Sequence, residues 1–143
     1  MKPFIVQRLI EFYDTDTAGI VHFANYYRFM EEAEHALFRS LGLQIKGRLP
    51  DGTRFGWPRV ASRCSYSAPA RYDEIIEIHL RIGRRSTRSL TTSYEFRRGD
   101  TKLAEGEMTI AYCTFPNGEK MQATAIPDDV AALLDAAAAE QAG

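Results

Sequence analysis

Asn25-Tyr26-Tyr27-Arg28-Phe29-Met30-Glu31-Glu32-Ala33-Glu34-His35-Ala36-Leu37-Phe38-Arg39-Ser40-Leu41-Gly42 is the stretch from which the fold is read. Tyr26, Met30, Ala33, Leu37 and Leu41 recur at steps of four, three, four and four, while Arg28, Glu31, Glu32, Glu34, His35 and Arg39 fill the complementary positions. That spacing predicts an amphipathic helix over residues 24 to 41, with one apolar stripe and one polar face. Gly42 can adopt the left-handed conformation that closes a helix, and Leu43 can then pack back on the last turn.

Upstream, a two-residue period puts Phe4, Val6, Ile10 and Phe12 on one face, with Arg8 as the exception, which predicts a first strand from Phe4 to Tyr13. It stops at the polar turn Asp14-Thr15-Asp16-Thr17. Downstream, Gln44 to Trp57 carries Gly47, Pro50, Asp51, Gly52 and Gly56 without a sustained period, and reads as a loop. Four β-type segments follow, Pro58 to Tyr66, Glu74 to Gly83, Ser89 to Arg97 and Lys102 to Phe115, separated by short turns that favour antiparallel neighbours. Asn117-Gly118 marks a further turn, and Pro127-Asp128-Asp129 opens an alanine-rich tail that reads as a short peripheral helix over residues 127 to 143, frayed at its end. A lone amphipathic helix must bury its stripe, and only the sheet is large enough to cover it, so the order predicts an α+β fold in which a curved antiparallel sheet wraps one long central helix.

At 143 residues, with 45% hydrophobic and 11% aromatic side chains, the chain has the size and core of one domain spanning residues 1 to 143. Lys and Arg number 18 against 19 Asp and Glu, so bulk charge supplies no reason to expect nucleic acid or an anionic membrane as partner. No stretch approaches the roughly 20 apolar residues of a membrane span. Polar Gln7, Arg8 and Glu11 interrupt the start of the chain, unlike the apolar core of a signal peptide. Cys64 and Cys113 stand far apart with no Cys/His cluster, which suggests neither a disulfide framework nor a metal site and fits a reducing cytoplasm.

The sequence lacks a G-x-S-x-G elbow, a phosphate-cradling G-x-x-x-x-G-K-S/T loop, a G-x-G-x-x-G turn and an H-E-x-x-H pair, so the common triads and cofactor sites drop out and no cofactor is expected. What remains concentrated is Asp14-Thr15-Asp16-Thr17-Ala18-Gly19-Ile20-Val21-His22-Phe23-Ala24-Asn25-Tyr26, which carries two carboxylates into the N-terminus of the central helix. Unpaired N–H groups and the positive dipole end can polarise a carbonyl there. A carboxylate beside them can attack the carbonyl carbon or activate water. Gly19 lets the backbone come close to a ligand. Aspartate is also favoured in turns and caps, so the pattern alone leaves a structural role open for both. His22 is a tempting base because histidine titrates near neutral pH, but a wall residue is the better reading. Asn25 can cap the helix, and Tyr26 falls on the apolar stripe.

The pattern D-x-D-x-x-G-I/V-V-x-x-x-N/S-Y resembles the signature of the 4-hydroxybenzoyl-CoA thioesterase and tol-pal-associated (YbgC-like) branch of hotdog-fold thioesterases. Similarity extends through Pro58, Ser65-Tyr66, Tyr72-Asp73 and the basic turn before Ser89. The resemblance implies a hotdog fold, hydrolysis of an acyl-CoA thioester, Asp16 as the catalytic carboxylate and the Phe23 backbone N–H as the group that polarises the carbonyl. It makes Gly19, His22, Asn25, Tyr26 and Glu31 candidates for the acyl site. It also implies that sites form between two subunits, in homodimers paired into homotetramers, with CoA phosphates met by basic residues. Arg84-Arg85-Ser86-Thr87-Arg88-Ser89 is the matching region, where Arg84, Arg85, Arg88 and Ser89 can pair with phosphate oxygens. Arg88-Ser89 matches the family best, and a solvated hairpin is the plain alternative. Aromatic or short-to-medium acyl groups are favoured. Two rival readings are an acyl-carrier-protein dehydratase, which would need a proline after His22-Phe23, and a non-catalytic acyl-CoA-binding module, which Asp16 and Gly19 argue against.

Overall fold

In the computed structural model, which describes residues 2–118 and 120–143, the amphipathic helix runs Asn25–Ser40 (α1). Its stripe is wider than the minimal period: Tyr26, Phe29, Met30, Ala33, Leu37 and Phe38 are all buried. Fully burying one large apolar side chain contributes roughly 1.5–3 kcal/mol, so this face fixes the helix on the sheet. The helix closes as its sequence predicts. Gly42 takes φ +73° and the Leu43 N–H reaches the Phe38 carbonyl at 2.8 Å.

Five antiparallel strands form the sheet under α1: β1 (Phe4–Leu9), β4 (Arg59–Tyr66), β5 (Ile75–Arg85), β6 (Ser89–Arg98) and β7 (Thr101–Ala111), in spatial order β1-β5-β6-β7-β4. Alternation sends Ile76, Ile78 and Leu80 of β5 and Leu90, Tyr94 and Phe96 of β6 inward. The sheet curves around α1 as the hotdog resemblance implies, and the two share a core. A second core of Phe38, Trp57, Leu90, Ile110, Tyr112, Ile126 and Leu134 sits beyond the end of α1.

Three expectations need correction. The segment from Gln44 to Trp57 is not a plain loop: it folds as β2 (Lys46–Arg48) and β3 (Arg54–Gly56), which join β8 (Cys113–Phe115) and β9 (Gln122–Ala123) in a second sheet of order β2-β3-β8-β9. Strands of three residues are too short to display a period, so tertiary pairing decides them. The predicted strand Lys102–Phe115 is therefore divided at Tyr112 between two sheets. The first strand ends at Leu9, and Phe12–Asp14 forms a single 3-10 turn that leaves Phe12 exposed rather than inward. The tail folds as the peripheral helix its sequence predicts, α2 (Asp128–Ala142), helical over 15 residues. It covers a gap left by β1, whose pairing with β5 stops at Phe4↔Leu80. The Ile82 N–H donates to Gln141 Oε1 at 2.8 Å, and Gln141 Nε2 donates to the Leu80 carbonyl at 3.2 Å, so a side chain completes the exposed ladder.

Glu34 also departs from its expected place on the polar face. Met30 and Phe38 lie one turn before and after it, so it falls within the stripe, and its side chain is 2% exposed. Arg59 of β4 meets it, Nη2 to Oε1 at 2.6 Å, while Glu34 Oε2 and Arg59 Nε have no partner among the described residues. Burial raises the Glu34 carboxyl above its ordinary value, and Arg59 only partly opposes this. Because the folded state then binds this proton more tightly than the unfolded chain, the contribution is present below the ordinary glutamate value of about 4.3 and is lost as pH rises through the raised one. His35, lowered by burial, acts in the opposite sense. Denaturant titrations across this range should show a shallower loss of stability with rising pH in Glu34→Gln than in the parent; parallel curves would contradict the assignment.

Candidate active site

The segment leading into α1 is held by Arg8, the charged exception on β1. Its guanidinium meets the buried Asp14 carboxylate at 2.9 and 3.4 Å, reaches Glu32 at 2.9 Å, and lies 4.7 Å from the centroid of the Phe29 ring. Asp14 Oδ2 also accepts the Glu11 N–H at 2.8 Å. The Asp14 carbonyl accepts both the His22 N–H at 2.9 Å and Asn25 Nδ2 at 2.8 Å. Asn25 thus ties the loop to the helix instead of capping it. With every polar atom of Asp14 engaged in the scaffold, its part is to hold the turn.

Asp16 is placed differently. It is half-buried, and its Oδ1 accepts the Ala18 N–H at 2.8 Å and the Ile20 N–H at 3.5 Å, while no hydrogen bond from the described residues reaches Oδ2. One oxygen fixes the side chain and the other is free. The turn that presents it is closed by Asp16 N–H to the Ile20 carbonyl at 2.8 Å and by Gly19 N–H to the Asp16 carbonyl at 3.0 Å. Gly19 has φ +79°, so the turn requires its left-handed conformation, and a Cβ there would meet nothing within 4 Å.

Asp16 opens onto a cavity of about 470 Å³ whose walls include Val21, Phe23, Tyr26, Tyr66 and Pro69. Its size suits an organic ligand, and its lining is mostly apolar with few polar groups. The Phe23 N–H has no acceptor among the described residues, although its neighbours do: Ala24 N–H donates to His22 Nδ1 at 3.1 Å and Asn25 N–H to the His22 carbonyl at 2.9 Å. A free donor at the start of α1 therefore stands in the wall that also carries Asp16. Tyr26 is buried against Phe29, Tyr66 and Phe96, and burial pushes its hydroxyl up to about 12, which keeps it neutral.

The remaining candidates are dispersed. His22 is exposed, stacked on Phe23 with ring centroids 4.6 Å apart, and spends Nδ1 on the Ala24 N–H. Glu31 lies on the outer flank of α1, 3.5 Å from Arg59, and does not line the cavity. At the arginine turn, Arg85 is held in a two-point pair with Asp135 of α2, at 2.5 and 2.8 Å, and the Ser89 hydroxyl lies 2.6 Å from that of Ser86. Arg84 and Arg88 are exposed, with no ion pair among the described residues. The Asp16 loop bridges to Arg71, just before β5, whereas the arginines sit at the far end of that 11-residue strand. At about 3.3 Å per residue, one chain separates the two groups by roughly 30 Å. Tyr66 was not separable from core aromatics in the sequence. Its hydroxyl donates to the Phe23 carbonyl at 3.0 Å, from a strand 43 residues further on.

The thioesterase superfamily pattern matches residues 18–105, beginning two residues after Asp16. A putative esterase of Aquifex aeolicus is 33% identical over 132 residues, covering 92% of this chain and 98% of the relative. The 4-hydroxybenzoyl-CoA thioesterase of a Pseudomonas species is 29% identical over 133 residues, covering 90% of this chain and 94% of the relative. A crystal structure of a hypothetical Aquifex aeolicus protein superposes with a TM-score of 0.80 at 32% identity, covering 92% of this chain and 99% of the other. The sheet wrapped on α1, the free carboxylate oxygen at the helix start and a match over more than half of the sequence converge: this chain belongs to the thioesterase superfamily and is a thioester hydrolase.

Proposed function

We propose that the protein hydrolyses acyl-CoA thioesters carrying an aromatic or short-to-medium acyl group, with Asp16 as the catalytic carboxylate. The observation that supports this most is that one cavity lining holds both Asp16, whose Oδ2 has no hydrogen bond from the described residues, and Phe23, whose N–H at the start of α1 has no acceptor among them. The thioester carbonyl oxygen accepts the Phe23 N–H, and the positive end of α1 favours the charge that develops on it. Asp16 then acts in one of two ways. It attacks the carbonyl carbon, expelling CoA thiolate and leaving a mixed anhydride that water cleaves, or it takes a proton from the water that attacks directly. In both routes one water is consumed, the carbon–sulfur bond breaks, and the products are the free acid and CoA.

Hydrolysis of a 4-hydroxybenzoyl-CoA ester by the Pseudomonas relative supports an aromatic acyl group. The aromatic lining of the cavity by Phe23, Tyr26 and Tyr66 agrees with it. The separation of roughly 30 Å between the Asp16 loop and the arginine turn supports a homodimer or homotetramer in which one subunit supplies the carboxylate and another the CoA site. Among the described residues Arg88 and Arg84 are the cations of that turn without an ion pair, whereas Arg85 is occupied by Asp135. The whole chain works as one domain, and two free cysteines fit work in a reducing cytoplasm.

A free-thiol release assay over aromatic and aliphatic acyl-CoA esters tests this reading, with the highest kcat/KM expected for an aromatic member; no release from any ester would overturn it. Arg88→Ala should raise KM about ten-fold, the size of one charge-assisted hydrogen bond, and leave kcat unchanged. An unchanged KM would remove Arg88 from the CoA site.

A further inference from the structure

The segment that carries the candidate carbonyl donor is exposed on three consecutive residues, His22, Phe23 and Ala24. Within it the hydrogen bonds are local, linking His22 to Ala24 and Asn25 and the Phe23 carbonyl to the Tyr26 N–H at 3.4 Å, and the His22 N–H ties its start to the Asp14 carbonyl at 2.9 Å. Such a turn at a helix start holds its geometry only if something outside it does so. Among the described residues, the one side-chain hydrogen bond that reaches residues 22–24 from the sheet is that of Tyr66, at the last position of β4, to the Phe23 carbonyl at 3.0 Å. The Tyr66 ring is set in turn against buried Tyr26, edge-on with centroids 5.2 Å apart. Partial burial and the nearby Cys64 thiol raise the Tyr66 hydroxyl above its ordinary value, so it stays protonated and remains a donor. Ring packing alone would be met equally by phenylalanine. The hydroxyl adds a fixed link between a rigid sheet and the backbone of Phe23, a cavity-lining residue whose N–H has no acceptor among the described residues.

We propose that Tyr66 is a positioning residue for thioester hydrolysis: its hydroxyl fixes the Phe23 backbone so that the Phe23 N–H meets the thioester carbonyl oxygen. This rests on the acyl-CoA thioesterase reading given above. Donor placement matters because a preorganised N–H stabilises a developing oxyanion without moving during the reaction, and a displacement of an ångström in an active site can cost far more than a hydrogen bond does in folding.

Tyr66→Phe removes the hydroxyl and keeps the ring, so the variant should fold and melt close to the parent. Its kcat should fall about ten-fold, less than the 10²–10³ lost when an oxyanion donor is deleted outright. Two CoA inhibitors separate positioning from packing: a ketone, with CH2 in place of sulfur and the carbonyl kept, and a thioether, with the carbonyl replaced by CH2. The ketone should bind several-fold more weakly to Tyr66→Phe than to the parent, and the thioether equally well. Equal kcat values, or loss of both inhibitors alike, would overturn the positioning role while leaving the thioesterase assignment intact. A parent that releases no thiol from any acyl-CoA would overturn that assignment and this role together.

Discussion

Phe29→Ala is expected to lower the melting temperature by about 10 °C, from a loss of roughly 3–5 kcal/mol on truncating a fully buried phenylalanine. Phe29 is 1% exposed, at the centre of the α1 stripe, with the Tyr26 ring edge-on at 5.9 Å and the Arg8 guanidinium 4.7 Å from its centroid. The lost side chain therefore leaves a cavity in the larger core and also removes the aromatic face under Arg8. Arg8 is the partner that holds Asp14, and Asp14 anchors the turn that presents Asp16. Thermal melts should show the stability loss, and thiol release measured well below the melting range should show a fall in kcat as the Asp14 anchor loosens. A shift under 2 °C would mean that the Phe29 site collapses without cost, contrary to the packing described.

The central helix was legible because sixteen residues with one apolar stripe leave a period that no short-range alternative mimics. The long strands were legible too, since buried residues recur at every second position over most of β6 and from Ile76 to Leu80 in β5. The second sheet was not. Lys46–Arg48 and Arg54–Gly56 carry Gly47 and Gly56; the two pair with each other, and the pairing of Arg54–Gly56 with Cys113–Phe115 depends on contacts some sixty residues away. Arg8 and Glu34 are a related case. Each looked like a break in a pattern or a member of a solvated face, yet each is an inward charge whose partner, Asp14 or Arg59, lies elsewhere in the sequence. The site divides in the same way. The motif from Asp14 to Tyr26 brought Asp16 and Phe23 to notice, and local turn geometry then separates the two aspartates by what their oxygens bond. Tyr66 stayed hidden because its hydroxyl acts across 43 positions, on a backbone atom. Arg85 shows the converse: a cation that matches a phosphate-binding run is already taken by Asp135.

Asp16→Asn is expected to have the largest effect on activity. Asparagine keeps an oxygen that can accept the Ala18 and Ile20 N–H groups, so the turn and the fold should survive. What it loses is the charge and basicity of Oδ2, the oxygen without a hydrogen bond from the described residues. Whether that oxygen attacks the carbonyl or takes a proton from water, the neutral amide does neither well, and a positioned acid, base or nucleophile contributes about 10²-fold or more. KM should change little, because the Phe23 N–H and the cavity walls are untouched. The most direct measurement is kcat for CoA release from the best aromatic ester, parent beside Asp16→Asn, with matched melting curves. The account predicts a fall of about 10²-fold or more at unchanged stability; equal rates in two equally folded proteins would contradict it.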